Sequence, residues 1–505
     1  GVQLRETHLS WVLLAGAYAY KIKKPVDLGF VDLSTPARRA ASCADEVRLN
    51  RRLCPDVYLG VVDVVARAGS FHLGGPGAAV EPAVRMRRLP EAGMLPALLE
   101  RGAADPGLLR RVAAHLARFH ATAATGPGID AWGRPAAIRA NWAENFAQTD
   151  ALDGAVLPGA LRAVVRDAAG RFLASAGDLL DRRVARGMVR DGHGDLHAAN
   201  ICIEGRRIHL FDCLEFSPRY RCADVAAEVA FLAMDLTAAG RADLADDFVA
   251  AYGDASDDRD LAALLDFYAS YRAWVRGKVR ALRLAEPGLP PAARAALAAE
   301  ARRYFTLAWA YAGGRPGPLL VVALGLPASG KTRLARALAG HLGLVHLSSD
   351  VLRKELAGYR PTSRQGAAFG QGIYTPTMSR RTYATLRRRA GRWLRQGRAV
   401  IIDATYGQPA ERVALRRLAE RCGARLVLLH CRAGEATLRA RLAAREDDPL
   451  PASDARLPLW SALNAAFVPP GGQEGAIALD MGGSFDAALG RALAALGVPG
   501  GAATA

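Results

Sequence analysis

A glycine-rich octapeptide at residues 325–332 constrains the fold of the second half of the chain more than any other feature. It reads Gly-Leu-Pro-Ala-Ser-Gly-Lys-Thr and matches the pattern G-x-x-x-x-G-K-[ST]. A loop of this kind joins a buried parallel strand to a helix, and apolar residues recur at helical spacing between Leu334 and Leu342. The sequence therefore predicts a parallel β-sheet flanked by helices, with strands at the apolar runs 319–324, 343–347, 399–402, 425–431 and 476–480.

The octapeptide is the predicted binding site for the phosphates of ATP. Its members are Gly325, Leu326, Pro327, Ala328, Ser329, Gly330, Lys331 and Thr332. Backbone N–H groups would surround phosphate oxygens, Lys331 would reach the β- and γ-phosphates during catalysis, and Thr332 would place its hydroxyl on Mg²⁺. The alternative is a glycine-rich turn that binds nothing.

Two aspartates follow predicted strands, at the edge of the sheet where ligands bind. Asp403 ends the run 399–402 and is the predicted second element of the Mg²⁺ site; no glutamate follows it to activate water. Asp350 could orient or deprotonate an acceptor hydroxyl, while Arg353, one turn later, could bind an anionic group of the acceptor. The alternative makes Asp350 a helix N-cap and Arg353 a surface residue.

A basic helix is predicted at 437–445, after the fourth strand of this sheet. Its Arg441 and Arg445 lie four residues apart on one face and could neutralise the phosphoryl group during transfer. Ordinary exposed arginines are the alternative.

The first half carries a second nucleotide-binding pattern. Residues 193–200 read His-Gly-Asp-Leu-His-Ala-Ala-Asn, and Asp212 follows at the end of a short strand. An H-x-D-x-x-x-x-N loop followed by such an acid is the catalytic-loop pattern of the protein-kinase-like fold. Asp195 would accept a proton from an attacking hydroxyl, while Asn200 and Asp212 would hold Mg²⁺.

An upstream lysine completes this pattern. Residues 19–24 form an alternating strand that puts Lys21 and Lys23 on one face. Lys21 is the predicted phosphate-pairing lysine, and Glu46, on a helix predicted at 44–53, is its ion-pair partner. A basic edge strand facing solvent is the alternative. Downstream, Asp224 and Glu228 could brace the catalytic loop or cap and solvate their own helix.

These motifs resemble known families. The loop at 193–200 has Gly after its first His and a second His two residues past the Asp, and so resembles aminoglycoside phosphotransferases and choline kinases. The second half resembles small P-loop kinases such as polynucleotide kinase, zeta toxin and gluconate kinase. With Thr-His-Leu-Ser-Trp at 7–11, nearly the whole chain resembles a bacterial family of bifunctional aminoglycoside phosphotransferase-like, P-loop ATP-binding proteins. The resemblance implies architecture and nucleotide chemistry but no acceptor.

The predicted organisation is an α/β chain of two domains. A protein-kinase-like domain with a two-lobed α+β fold occupies 1–312, with a small lobe to about residue 90 and a large lobe over 91–312. The turn-rich segment 313–318 is the predicted linker, a P-loop domain occupies 319–498, and the Ala/Thr-rich tail 499–505 is expected to be disordered. Residue 1 is glycine rather than methionine, which agrees with a removed upstream segment.

The chain is strongly basic, with a formal net charge of +18, which favours anionic ligands. The densest arginine cluster lies on a predicted helix at 380–398. Its members Arg381, Arg388, Arg392 and Arg395 share a face. A solvated helix face is the default interpretation, and a nucleic-acid or phosphate-rich substrate surface is the alternative.

Cysteine usage and hydropathy predict the cellular compartment of the protein. Seven cysteines without C-x-x-C pairs argue against a disulfide framework or a zinc site, and favour free thiols in a reducing cytoplasm. No apolar run has the 18 or more residues that span a bilayer. A cytoplasmic protein without membrane contact is predicted, and its oligomeric state stays open.

The sequence thus predicts a kinase with two ATP·Mg²⁺ sites that phosphorylates hydroxyl groups of an unidentified acceptor, a small molecule or a nucleic-acid end. Three alternatives remain. One domain could be a nucleotide-sensing pseudokinase, the protein could be an RNA or DNA end kinase, or it could be an ATP-gated interaction protein that transfers no phosphate.

Overall fold

The computed structural model describes residues 1–29, 31–152, 154–315, 317–360, 363, 370–444 and 457–500. Contacts between residues divide the chain into two compact units. The first unit comprises Gly1–Ala143, Phe172–Asp235 and Asp247–Tyr268. The second unit comprises Glu144–Arg171, Leu236–Asp246 and Ala269–Ala505. The predicted domain bounds, which are contiguous in sequence, stay a prediction, and the predicted tail lies outside the described residues from 501 onward.

The described part of the chain contains strands in both units. Those of the first unit are β1 Gln3–Glu6, β2 Ser10–Ala15, β3 Tyr18–Lys23, β4 Tyr58–Arg67, β5 Ser70–Leu73, β6 Ala78–Arg87, β7 Val189–Asp191, β8 Ile201–Glu204, β9 Arg207–Leu210 and β10 Cys222–Asp224. Those of the second unit are β11 Leu319–Leu324, β12 Val345–Ser348, β13 Val400–Asp403, β14 Arg425–Arg432 and β15 Ile477–Asp480.

The helices, in chain order, are α1 Pro36–Asn50, α2 Leu95–Glu100, α3 Pro106–Thr122, α4 Pro127–Asp130, α5 Pro135–Ala147, α6 Gly159–Ser175, α7 Gly177–Ala185, α8 Pro218–Arg221, α9 Val225–Ala238, α10 Ala242–Ser256, α11 Leu261–Leu282, α12 Pro291–Trp309, α13 Lys331–Leu342, α14 Ser349–Leu356, α15 Pro376–Arg395, α16 Pro409–Arg421, α17 Glu435–Ala444, α18 Trp460–Ala465 and α19 Phe485–Ala495.

The first unit opens with a six-stranded antiparallel sheet in the order β1-β2-β3-β6-β4-β5. The basic strand β3 pairs with β2 on one side and β6 on the other, where Lys21 lies opposite Val12 and Val84. Because β3 is internal, the alternative of a solvent-facing edge strand is wrong. The short hairpin β8–β9 and the pair β7–β10 follow later in the chain, among helices.

Helix α1, which carries Glu46, begins at Pro36, earlier than the predicted helix at 44–53. Its start signal is local. The Thr35 side chain accepts a hydrogen bond of 3.3 Å from the main-chain N–H of Arg38, and proline occupies the first helical position, where its missing N–H costs nothing. The apolar pattern that suggested 44–53 covers only the later turns of a longer helix.

The second unit contains a five-stranded sheet in the order β12-β13-β11-β14-β15, in which every pairing is parallel. This confirms the predicted parallel sheet. All residues of the central strand β11 are buried, as a strand covered on both faces requires. Leu352, Leu386 and Leu415 of α14, α15 and α16 join the core that covers this sheet, each stabilising it by roughly 2 kcal/mol through burial.

Two further observations concern the helices and the cysteines. Within the described residues, no helix combines the length and the apolarity that crossing a bilayer would need. The seven cysteines are free thiols; six are buried, and Cys422, at the end of α16, is half-buried.

Candidate active sites

The predicted catalytic loop of the first unit connects β7 to β8 and is held by a buried glutamate. The main-chain N–H groups of His193 and Gly194 both donate to Oε1 of Glu228 on α9, at 2.5 and 2.6 Å. A Cβ atom on Gly192 would clash with the same carboxylate, so the loop needs glycine there. Glu228 therefore braces the loop, which was one of the two roles considered for it.

The other oxygen of Glu228 is also engaged. Nε2 of His120 lies 2.9 Å from Oε2 of Glu228, and Nδ1 of His120 lies 2.7 Å from the hydroxyl of Tyr252. Burial acts to raise the pKa of Glu228, but hydrogen bonding and charge from His120, with the N–H of Gly194, lower that pKa to about 2. The brace is thus an ionised carboxylate held by several donors.

Asp195 and Asn200 lie next to each other in this loop, with Asp195 partly exposed and Asn200 buried. The side-chain amide of Asn200 donates to the main-chain oxygen of Asp195 at 3.0 Å, and its nitrogen lies 3.4 Å from Oδ2 of Asp195. Nε2 of His197 is 3.4 Å from the same Oδ2, and the Asp195 side chain is 36% exposed. A solute can therefore reach the carboxylate of Asp195, and the amide oxygen of Asn200 is the atom suited to a cation.

Lys21 lies between two carboxylates. Its Nζ atom is 2.9 Å from Oε1 of Glu46 and 2.6 Å from Oδ1 of Asp212. Its neighbour Lys23 contacts the other oxygen of Glu46 and lies 2.5 Å from Oε1 of Glu215. The structure thus brings together Lys21, Glu46 and Asp212, which the sequence places far apart, and adds a second lysine–glutamate pair that sequence reasoning missed.

The charges in this cluster shift each other's pKa. Burial acts to raise the pKa of Glu46, but the charges of Lys21 and Lys23 outweigh it and hold that pKa below its ordinary value. Burial likewise acts to raise the pKa of Asp212, and the charge and hydrogen bond of Lys21 hold it below its ordinary value. Burial opposes the charge on Lys21, yet Asp212 and Glu46 raise its pKa well above the usual range. Lys21, Glu46 and Asp212 are therefore charged at neutral pH.

Asp212 adopts a left-handed backbone conformation, with φ of 63°. Its main-chain N–H donates to the hydroxyl of the buried Tyr58 at 3.1 Å. An aspartate in this region costs roughly 1 kcal/mol of strain, and such strain concentrates at functional sites. The bend turns the Asp212 carboxylate toward Lys21 directly after β9 ends.

Asp224 forms hydrogen bonds with two helices, α9 and α7. Its Oδ1 caps α9 by accepting from the N–H of Ala226 at 2.8 Å, and both its oxygens accept from the fully buried Arg183 at 2.6 and 2.7 Å. Arg183 also donates to both oxygens of Asp258 at 2.7 and 2.8 Å. Asp224 therefore caps its helix, the second role considered, and anchors that helix to α7.

In the second unit, the octapeptide turns sharply after β11. Gly325 has φ of 147°, and a Cβ atom there would clash with the main-chain oxygen of Cys431. Gly330 has φ of 86°, and its Cβ would lie 2.9 Å from Cε of Met481. Ala328 adopts φ of 64°. The backbone is thus wound into a cradle in which Gly325 and Gly330 cannot be replaced without a shift of neighbouring atoms.

Several polar groups converge on this cradle. The hydroxyl of Ser329 and Oδ1 of Asp403 are buried and have no hydrogen-bond partner among the described residues. Nζ of Lys331 makes a long contact of 3.4 Å with the carbonyl of Leu326. A cradle of N–H groups with a lysine, beside a carboxylate atom in need of a partner, fits a phosphate anion accompanied by a divalent cation.

Asp403 is buried at the end of β13 and lies near His346, whose Nε2 is 3.7 Å from its Oδ2. Burial acts to raise the pKa of Asp403, but His346, Lys331 and Thr332 together hold it below its ordinary value. The predicted metal-binding pair Thr332 and Asp403 therefore lies at one place. His346 was missed because a lone histidine on a strand carries no motif.

Asp350 and Arg353 occupy α14, just beyond β12. Ser348 takes the N-cap position, so Asp350 lies in the first turn and the N-cap alternative for it is wrong. Arg353 is 7% exposed, which excludes the surface alternative. Its guanidinium donates to the carbonyl of Ile373 and to the Ser379 hydroxyl at 3.1 and 3.0 Å. The roles of both residues toward an acceptor stay predictions.

The predicted lid arginines are described in part. Arg441, on α17, donates to the carbonyl of Met481 at 2.7 Å and lies 3.4 Å from that of Ala328, so it touches the octapeptide. Arg445 lies outside the described residues.

The arginine cluster on α15 is divided between solvent and ion pairs. Arg381, Arg388, Arg392 and Arg395 are exposed on the predicted shared face. Arg387 and Arg389 pair with Glu411 and Glu355. Arg398 belongs to the predicted helix 380–398 but lies beyond the end of α15 at Arg395, and it pairs with Asp246. The pairing lowers the uncompensated charge of this helix and gives no support to a nucleic-acid surface.

Comparison with known proteins places these sites in families. Residues 30–267 match the model of the phosphotransferase enzyme family, and residues 320–470 match the model of an AAA domain. Uncharacterized proteins of Mycobacterium bovis and Mycobacterium tuberculosis are 34% identical over 470 residues, which is 92% of this chain and 90% of theirs. The chain belongs to their family. It is the aminoglycoside phosphotransferase-like, P-loop ATP-binding family that the motifs resemble, and the predicted fold class is confirmed.

Solved structures of kinases resemble parts of this chain. A choline/ethanolamine kinase family protein of Mesorhizobium loti is 16% identical, with a TM-score of 0.37 over 62% of this chain and 92% of that one. A sugar kinase of Janibacter sp. is 22% identical, with a TM-score of 0.29 over 37% of this chain and 99% of that one. The family matches indicate a kinase-like phosphotransferase without identifying its acceptor.

Proposed function

We propose that the protein is an ATP-dependent kinase with two nucleotide sites, each transferring the γ-phosphate to a hydroxyl group, and that its acceptors are small molecules. The observation that carries the proposal is Lys21, held at 2.9 and 2.6 Å from Glu46 and Asp212. A kinase-like site needs this lysine positioned by a glutamate to hold phosphates.

In the first unit, each residue has a task that its surroundings favour. Lys21 would bind the phosphates while Glu46 fixes its position. Asp195, partly exposed at 36%, would hydrogen-bond the acceptor hydroxyl and receive its proton. Asn200 and Asp212 offer oxygen ligands for Mg²⁺, which, when bound, neutralises charge on the transferring phosphate.

In the second unit, the cradle at 325–332 would hold a triphosphate through its N–H groups. Lys331 would bind phosphate oxygens, and Thr332 and Asp403 would hold Mg²⁺. Arg441, whose guanidinium already touches the loop at 3.4 Å from the carbonyl of Ala328, would add positive charge near the phosphates. Asp350 would orient the acceptor hydroxyl. Phosphoryl transfer of this kind is catalysed mainly by positioning and electrostatic stabilisation, and the proposed residues supply both.

The test follows the γ-phosphate of labelled ATP into a small-molecule extract, with and without added RNA. Wild type is compared with Asp195→Ala and Lys331→Ala, and with the matched controls Asp45→Ala and Lys278→Ala, which alter half-buried residues outside both candidate sites. We expect labelled small molecules with wild type and both controls, and loss of a distinct product in each of the two site variants.

Other outcomes of this labelling experiment would favour one of the three alternative functions. Label that disappears in only one site variant makes the other domain a pseudokinase. Label that enters RNA alone identifies an end kinase. Nucleotide binding with no labelled acceptor contradicts the proposal and favours an ATP-gated interaction protein.

The seven free thiols are compatible with the predicted reducing cytoplasm.

A further inference from the structure

The first unit contains a cavity of about 370 Å³ that shares no lining residue with the catalytic loop or with the lysine cluster. It lies among helix α3, the segment 53–56 that follows α1, and the hairpin β8–β9. Its volume falls within the range of roughly 300–1,000 Å³ that small-molecule sites occupy. The cavity is therefore large enough for a metabolite.

Positive charge dominates its walls. Four arginines line the cavity against one carboxylate, Asp56; they are Arg111, Arg118, Arg206 and Arg207. Asp56 is already shared between Arg207 and Arg87, each at 3.2 Å. Arg118 and Arg206 are exposed residues at the rim of the cavity, and no carboxylate among the described residues balances their charge.

His115 lies in the cavity wall but adds no positive charge to it. Nε2 of His115, in the cavity wall, is buried and has no hydrogen-bond partner among the described residues. Burial and the charge of Arg118 lower the pKa of His115, so its imidazole is neutral near pH 7. The positive charge of the cavity therefore comes from its arginines.

We propose that this cavity binds a small phosphate monoester. Such an ester carries between one and two negative charges near pH 7 and three acceptor oxygens, which match several arginine forks better than a neutral solute would. Leu53 and Ile208 supply apolar contact for the rest of the ligand. The proposal does not depend on the proposed kinase activity, because none of these residues has a role in it.

The location links the cavity to the active site. Its segment 53–56 directly follows α1, which carries Glu46, and its β9 wall ends two residues before Asp212. Asp56 also connects the two walls, since its Oδ1 lies 3.6 Å from Nδ1 of His209. An occupied cavity would therefore stiffen both elements that position Lys21.

The test measures binding of glucose 6-phosphate, inorganic phosphate, succinate and glucose to the full chain by titration calorimetry, with hydrogen exchange to locate the ligand. Variants are Arg118→Gln and Arg206→Gln. The matched control is Arg110→Gln, which removes the same charge from an exposed position on α3 that does not line the cavity. Melting temperatures verify that each variant is folded.

We expect saturable binding of glucose 6-phosphate, slower exchange in residues 53–56 and 206–210, and affinity about tenfold weaker in each cavity variant but unchanged in the control. If inorganic phosphate binds with the same affinity as glucose 6-phosphate, the site is assigned to free phosphate and the proposed phosphate monoester is contradicted. The cavity site is also overturned by equal binding of glucose or succinate, by equal affinity in all variants, or by exchange protection confined to 193–200 or 325–332.

Discussion

At the scale of single residues, Lys23 and Lys24 are adjacent in sequence but differ in environment. Lys23 is 1% exposed and paired with the buried Glu46 and Glu215, whereas Lys24 pairs with the exposed Glu6. Removing one partner of a buried ion pair leaves an uncompensated charge, which costs about 3–5 kcal/mol, while exposed pairs contribute little.

We therefore predict that Lys23→Met strongly lowers the urea midpoint of unfolding and that Lys24→Met barely changes it. Urea denaturation of both variants and wild type measures this. Equal midpoints for the two variants would contradict the buried network.

The lowered pKa of Glu228 leads to a prediction about how folding stability depends on pH. Its pKa is lowered from 4.5 to about 2 in the folded protein. A carboxylate whose folded pKa is depressed contributes stability above its unfolded pKa, and that stability is lost as pH falls through the folded pKa; the difference corresponds to about 3 kcal/mol.

Glu228→Gln should accordingly be destabilised at pH 7, with a deficit relative to wild type that shrinks between pH 5 and pH 2. Unfolding curves at several pH values measure it, with Glu100→Gln, an exposed residue of α2, as control. A deficit that stays constant over this pH range would show that Glu228 does not titrate as described.

At the scale of elements, the turn between β11 and α13 depends on Gly325. An added Cβ would clash with the carbonyl of Cys431 on the neighbouring strand, and φ there is 147°. Gly434, by contrast, has open space around it. Because the cradle needs an undistorted backbone to present its N–H groups, a side chain at Gly325 should disturb it.

We predict that Gly325→Ala weakens binding of a non-hydrolysable ATP analogue at this loop about tenfold or more, which is about 1.4 kcal/mol, and that Gly434→Ala leaves it unchanged. Hydrogen exchange of residues 325–334 on addition of the analogue reports this site separately from the first unit. Full protection in Gly325→Ala would contradict the proposed cradle.

Elements with a local signal could be predicted from the sequence. The octapeptide that follows β11 and the loop at 193–200 are each marked by a motif, and the residue spacing of each motif indicates the local backbone structure. Helix α1 was placed too late because its Thr35–Pro36 start signal lies outside the apolar pattern. Glu215 and His346 could not be found, since their partners Lys23 and Asp403 are brought near only by folding.

At the scale of the whole molecule, composition predicts less than topology does. The net charge of +18 suggests anionic partners, yet two arginines of α15, Arg387 and Arg389, are paired with acids distant in sequence. The compact units are also discontinuous along the chain, which linear features such as the turn-rich segment at 313–318 do not reveal. Long-range pairing decides both properties, and a single sequence does not display it.

The buried arginine at position 183 has a consequence for the order in which the first unit can form during synthesis. Arg183 is fully buried between Asp224 and Asp258, and a buried charge without its partners is costly by several kcal/mol. The ribosome adds these residues one after another, so α7 cannot settle into its final place while Asp258 is still inside the exit tunnel. Completion of the first unit must therefore wait until the chain has grown well past residue 258, although the loop at 193–200 emerged earlier.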